Sequence, residues 1–227
     1  MLDMSALHKE FLELLRMPGP SCEEAAVRAY VQDALTSLGF ACAVDEIGNL
    51  SAVLPAAGGH KGEPLLLCAH LDTVPLAAHP HIVETETEYR TDGETALGAD
   101  DRGGVAAILA ALRAVHAENA PHPAVEALFT VQEERSLFGS AHADLGRFAA
   151  RQAFVPDSSR PVGTAVLQTP YKAHIDIELT GVSAHAALAP EKGVSVIRMA
   201  ARAIDSLPAA FENATFNVGS FTCEGPR

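Results

Sequence analysis

The sequence predicts an α/β fold, with a mixed, largely parallel sheet flanked by helices, followed by the beginning of a smaller α+β unit. Three observations predict it. Short apolar runs near residues 64–69, 125–131 and 153–155 have the length and composition of buried strands. Stretches of helical periodicity alternate with them, as strand–helix–strand units require. Near residue 165 the texture changes to period-two alternation, which divides the chain into residues 1–165 and 166–227.

The elements follow in order. Met4, Leu7, Phe11, Leu14 and Leu15 recur at helical spacing, and Pro18-Gly19-Pro20 ends that helix. Ser21 and Glu24 have the spacing of a capping box for a second helix, with Val27, Tyr30, Val31, Leu35 and Leu38 as its stripe and Gly39 at its C-terminal cap. Strands are expected at residues 40–45 and 49–54, joined at Gly48. Asp92-Gly93 has the chemistry of a hairpin turn. Asp100-Asp101-Arg102-Gly103-Gly104 leads into a helix carrying Ile108, Leu109, Leu112 and Val115. In the second unit, residues 173–179 alternate like a half-exposed strand, residues 190–207 are expected to be helical, and residues 216–221 to form a further strand.

Composition excludes several function classes. The chain of 227 residues is 48% apolar, enough for a packed core. Sixteen basic against 29 acidic residues give a net charge of −13, opposite in sign to a phosphate-tracking nucleic-acid binder. No apolar run reaches the roughly 18 residues that span a bilayer. The four cysteines lack C-x-x-C spacing, which indicates reduced thiols and a cytoplasmic protein.

Three predicted strands end in a possible metal ligand: His70, Glu134 and Asp157. Asp100 sits in a glycine-flanked turn at a helix start. In open α/β sheets, ligands bind beyond the carboxyl ends of the strands, so these four converge on one crevice. One imidazole with three carboxylates is a hard donor set suited to zinc, cobalt or manganese. Asp72, two residues past His70, is placed to take an imidazole N–H, and Glu133 is placed to exchange a proton with an attacking water. Each residue taken singly has an ordinary explanation. Asp100 and Asp101 suit the first turn of a helix, and Glu133-Glu134-Arg135 suits a solvated charge cluster.

The strings LLLCAHLDTVP, LGADDRGGVAAIL, TVQEERSLFGSAH and VPDSS, in that order, resemble the dinuclear zinc metallopeptidases that include peptidase T, carboxypeptidase G and the aminoacylases. GVSAHAALAPEKGVSVI is most similar to the peptidase T-like branch. The resemblance implies a zinc exopeptidase-like fold with a lid or dimerisation domain beginning near residue 166. It implies two divalent cations, zinc foremost, with His70 and Asp157 on one, Asp100 bridging and Glu134 on the other. Asp72 then orients His70, Glu133 is the general base, and His185 reaches the substrate from the lid. The peptide bond after Asp100 is expected to be cis. The implied activity is hydrolysis of an amide bond in small peptides or N-acyl amino acids, by a homodimer paired through the lid.

The sequence departs from that pattern at Arg227, where members of the family continue into the rest of the lid and a final histidine ligand. A truncated chain is therefore expected, with an open sheet edge and poor activity. The alternative is a fold-retaining binding module without catalysis.

Overall fold

The structure is a computed structural model and describes residues 2–169, 171, 173–208 and 213–223. It divides into two units, Met1–Ala165 and Val166–Arg227.

In the first unit, helix α1 (Met4–Arg16) starts where the Asp3 carboxylate accepts the Ala6 N–H at 3.1 Å. It stops at the Pro-Gly-Pro segment. Helix α2 (Ala25–Ser37) does not use the expected capping box, because its N-cap residue, Glu24, makes no side-chain cap bond. The Ser21 hydroxyl and the Glu24 carboxylate are committed to tertiary partners described below. The other end follows the sequence. Gly39, at φ +89°, donates to Thr36 O, and Phe40 N donates to Leu35 O, which is a Schellman closure that an L side chain would strain.

Strands β1 (Ala41–Val44), β2 (Leu50–Leu54), β3 (Leu65–His70), β6 (Val125–Thr130) and β7 (Gln152–Phe154) form one sheet in the order β1-β2-β6-β3-β7. Strand β6 pairs parallel with β3, and β3 pairs parallel with β7. The β1–β2 and β2–β6 pairs are antiparallel. Four strands therefore run one way and β2 alone is reversed. Central β6 is buried at every residue, and edge β7 is exposed at every residue.

Between β3 and helix α3 lies a small hairpin of β4 (Ile82–Glu84) and β5 (Tyr89–Thr91). Its turn is residues 85–88, closed by Thr85 N donating to Glu88 O. Asp92-Gly93 follows β5 instead of joining the strands, because Thr91 and Thr95 close that second turn. Helix α3 (Ala99–Ala117) packs on α1 and β3 and buries Val105, Ile108, Leu109 and Leu112, each of which contributes about 1.5–3 kcal/mol of burial. Short helix α4 (Phe138–His142) follows β6.

The second unit differs from expectation. Among its described residues, helix α5 (Val196–Ser206), capped by Ser195, is the longest regular element, beside a short 3-10 turn at Pro190–Lys192 and a bridge pairing Val182 and Val194. Residues 173–179 and 216–221 carry the strand pattern but form no ladder. A strand exists only through a partner, and alternation cannot supply one. Among the described residues no helix is long and apolar enough to cross a membrane, and all four cysteines are free.

Candidate metal centre

Because β3, β6 and β7 are parallel, their carboxyl ends open on one side of the sheet. His70 closes β3, in register with Thr130 of β6. Asp157 lies three residues past Phe154, which pairs with Leu67. Asp100 enters from the start of α3. Asp100 and Asp101 depart from helical dihedrals there, and the peptide bond between them is cis.

Two triads of donor atoms result, each with its atoms within 4.8 Å of one another. One joins His70, Asp100 and Asp157, and the other joins His70, Glu133 and Glu134. His70 belongs to both, with Asp100 in the first and Glu134 in the second. The four residues singled out as ligands are thus brought together, and Glu133 joins them.

The imidazole has two differently occupied sides. Nε2 lies 2.9 Å from Asp100 Oδ1. Nδ1 lies 3.4 Å from Asp72 Oδ1, within ion-pair reach but without hydrogen-bond geometry. Asp72 is fully buried and accepts from three donors: the Ser21 hydroxyl at 2.6 Å, Glu133 N–H at 2.8 Å and Glu134 N–H at 3.2 Å. It fixes the ring on one side and the Glu133-Glu134 backbone on the other.

The electrostatics follow from this crowding. Burial raises the proton affinity of Asp72, but the adjacent His70 imidazole and the bonds from Ser21 and the Glu133 backbone outweigh it and hold the carboxyl below its ordinary value. Burial likewise opposes charge on His70, yet Asp72 and Asp100 push its pKa up to about 10. Glu133 and Glu134 are shifted upward by burial and by neighbouring carboxylates, and Asp157 by burial and Asp100. Asp101 is buried, with one oxygen accepting Gly104 N–H at 3.0 Å and the other unpartnered. Burial and Asp157 push its pKa up to about 7.

Carboxylates that raise one another's proton affinity around a single imidazole lack positive charge, which is the condition a divalent cation relieves. The donor set fits one: hard oxygens, an imidazole whose Nε2 faces them, and a carboxylate behind Nδ1. Cation binding would have to displace the proton that His70 otherwise holds.

Residues 49–209 match peptidase family M28. The chain belongs to that family. It is 31% identical to the uncharacterized protein YqjE of Bacillus subtilis over 97% of its own length and 62% of that protein's. The aminopeptidase PepT structure from Bacillus cereus superposes with a TM-score of 0.72 at 30% identity, covering 92% of this chain and 58% of that one. A tripeptidase structure from Staphylococcus aureus superposes with a TM-score of 0.81 at 27% identity, covering 100% and 63%. The chain thus spans somewhat under two thirds of the length of these family relatives.

Three contributors to this candidate site escaped the sequence. Ser21 and Glu24 carry the signature of a helix cap, which masked their tertiary bonds. Arg102 is buried, its Nη2 donating to Met17 O at 3.4 Å, with Nη1 unpartnered. Its signal was present, because Arg102 falls in phase with Val105, Leu109 and Leu112 on the apolar face of α3.

Two other predicted or possible positions belong to neither triad. His185 belongs to the second unit, where it is exposed and its Nδ1 accepts from Ala187 N–H at 3.2 Å. A further triad of His81, Asp92 and Glu94 flanks the exposed hairpin. Its Asp92 is already engaged by the Glu94 N–H at 3.0 Å and by His81 at 2.7 Å.

Proposed function

We propose that residues 1–165 are the metal-binding part of a hydrolase that cleaves an amide bond in small peptides or N-acyl amino acids. The observation that carries this is the meeting of the two donor triads at the carboxyl ends of three parallel strands. His70, Asp157 and Asp100 would hold one divalent cation, and Asp100 and Glu134 a second, with zinc first and cobalt or manganese as alternatives. Two such cations polarise a carbonyl and make a nearby water acidic.

The chain's own groups do the rest. Asp72 keeps the His70 ring in one orientation and its Nδ1 side occupied. Glu133 takes a proton from the attacking water as the O–C bond forms, and returns it to the nitrogen as the C–N bond breaks. Burial lifts its proton affinity, which suits a group that must both accept and release a proton near neutrality. His185, on the unit of residues 166–227, supports the developing oxyanion. The names aminopeptidase and tripeptidase on the two superposed structures favour a short peptide with a free amino terminus as substrate. Residues 166–227 act as the lid and pair two copies in the cytoplasm.

The test is a zinc titration of the purified chain together with hydrolysis of a tripeptide panel by a protein spanning the full length of the relatives. Glu133→Gln is expected to retain both cations and lose about 100- to 10,000-fold in kcat. Unchanged turnover would overturn the general-base role, and no uptake of zinc, cobalt or manganese would overturn the hydrolase.

A further inference from the structure

The segment joining α1 to α2, MPGPSCEE at residues 17–24, touches three of the four segments that carry the candidate metal centre: those after β3, after β6 and at the start of α3. Gly19 O accepts from Thr73 N at 3.0 Å, and Pro20 bridges to Thr73, just past Asp72. Ser21 Oγ donates to Asp72 Oδ2 at 2.6 Å. Met17 O accepts from Arg102 at the start of α3. Glu24, only 4% exposed, accepts from Gln132 N–H at 3.0 Å and from Cys22 N–H at 2.9 Å through the same oxygen.

The Glu24 contact is the informative one. An acid at the N-cap of a helix ordinarily bonds its own first turn, and this one does not. Its carboxylate instead reaches 108 residues along the chain, to the N–H immediately before Glu133. Gln132 stands at φ +53°, a conformation a non-glycine residue keeps only when its surroundings fix it. The following two N–H groups, of Glu133 and Glu134, are taken by Asp72, which Ser21 holds from behind. The 132–134 turn is therefore clamped at three successive N–H groups, one by Glu24 and two by Asp72. Arg102 sits buried with its charge near both of those acids, which offsets some of the cost of burying them.

We infer that the α1–α2 connection is a positioning element, in which Ser21 and Glu24 set where the Glu133–Glu134 turn stands relative to His70. As a statement about metal geometry this rests on the function proposed above; as a statement about the turn it does not. Neither residue belongs to a donor triad. Each acts through a backbone or through Asp72, so its loss loosens the spacing between the two donor triads while leaving the donors in place.

The experiment compares Ser21→Ala, Ser21→Thr, Glu24→Ala and Glu24→Gln in the full chain by amide hydrogen exchange and by zinc titration against a chromogenic chelator. In Glu24→Ala, exchange at Gln132, Glu133 and Glu134 is expected to speed at least about 10-fold while Leu128 in central β6 is unchanged. Zinc affinity is expected to fall about 10- to 100-fold, as for other contacts that orient ligands. Glu24→Gln, which keeps a side-chain oxygen, recovers most of both. Ser21→Ala shows the same pattern more weakly, and Ser21→Thr restores it.

Local exchange and zinc affinity both unchanged in Glu24→Ala and Ser21→Ala would overturn the inference. So would exchange that rises equally at Leu128, since the effect would then be general stability. If Glu24→Ala does not fold, the Ser21 pair and Glu24→Gln decide by the same criteria. A wild-type chain that takes up no zinc would overturn the proposed function, and the exchange comparison would still decide the clamp.

Discussion

Two regions of the first unit gather acidic groups in opposite ways. Between α1, α2 and α3, Glu10 is buried, with Arg113 donating to one carboxylate oxygen and the Tyr30 hydroxyl to the other at 3.2 Å. That acid is balanced by the protein's own cation. At the carboxyl ends of β3, β6 and β7, Asp100, Asp157, Glu133 and Glu134 face one another with His70 as the shared positive group, and three of them are pushed towards the protonated form. The difference teaches that the number of acids does not mark a cation site. What marks it is whether the fold has already supplied their counter-charge.

Removing acids from the second region breaks the comparison most severely. Asp100→Asn combined with Asp157→Asn is expected to lower zinc affinity at least about 100-fold, beyond the range of orienting contacts, in a chelator-competition titration. In metal-free buffer the same double variant is expected to be no less stable than wild type to urea, because the substitutions delete repulsion. A loss of stability there would mean that these carboxylates are internally balanced after all.

The first region should respond in the reverse sense. Glu10→Ala strands the Arg113 guanidinium and the Tyr30 hydroxyl, and is expected to cost about 1–2 kcal/mol in urea unfolding, since Arg113 keeps partial access to water. Zinc affinity should not move. A drop in affinity would show the two regions to be coupled through α3.

The smallest effect sharpens the same contrast by pH. Burial, with Glu10 and Glu13 adding to it, pushes the Tyr30 phenol from 10.0 up to about 12. A folded pKa above the unfolded one contributes stability that is complete below pH 10 and is lost as pH rises through 12. Tyr30→Phe should flatten the fall of stability between those values in pH-dependent unfolding. An unchanged slope would place the alkaline transition elsewhere.

Much of this was legible in the residues themselves. The apolar runs ending in His70 and Thr130-Val131 declared strands because a strand buried on both faces needs a continuous apolar run; Phe154-Val155 also marked a strand, but an exposed edge one. Gly39 declared a helix end because the left-handed closure excludes a Cβ. His70, Asp100, Glu134 and Asp157 stood out because each breaks an apolar or helical pattern at its terminus, and the direction of parallel strands then placed them on one side.

Pairing and side-chain destination could not be read locally. Residues 173–179 and 216–221 have strand patterning, but a strand is a relation to another strand. The sequence of Ser21-Cys22-Glu23-Glu24 is equally consistent with capping its own helix and with clamping a loop 108 residues away. Only the packed chain, by bringing Gln132 and Asp72 within hydrogen-bond reach, chose between them. Sequence fixes which groups are available to bond, whereas distance decides which of them do, and for buried polar groups that distance exists only after the core has closed.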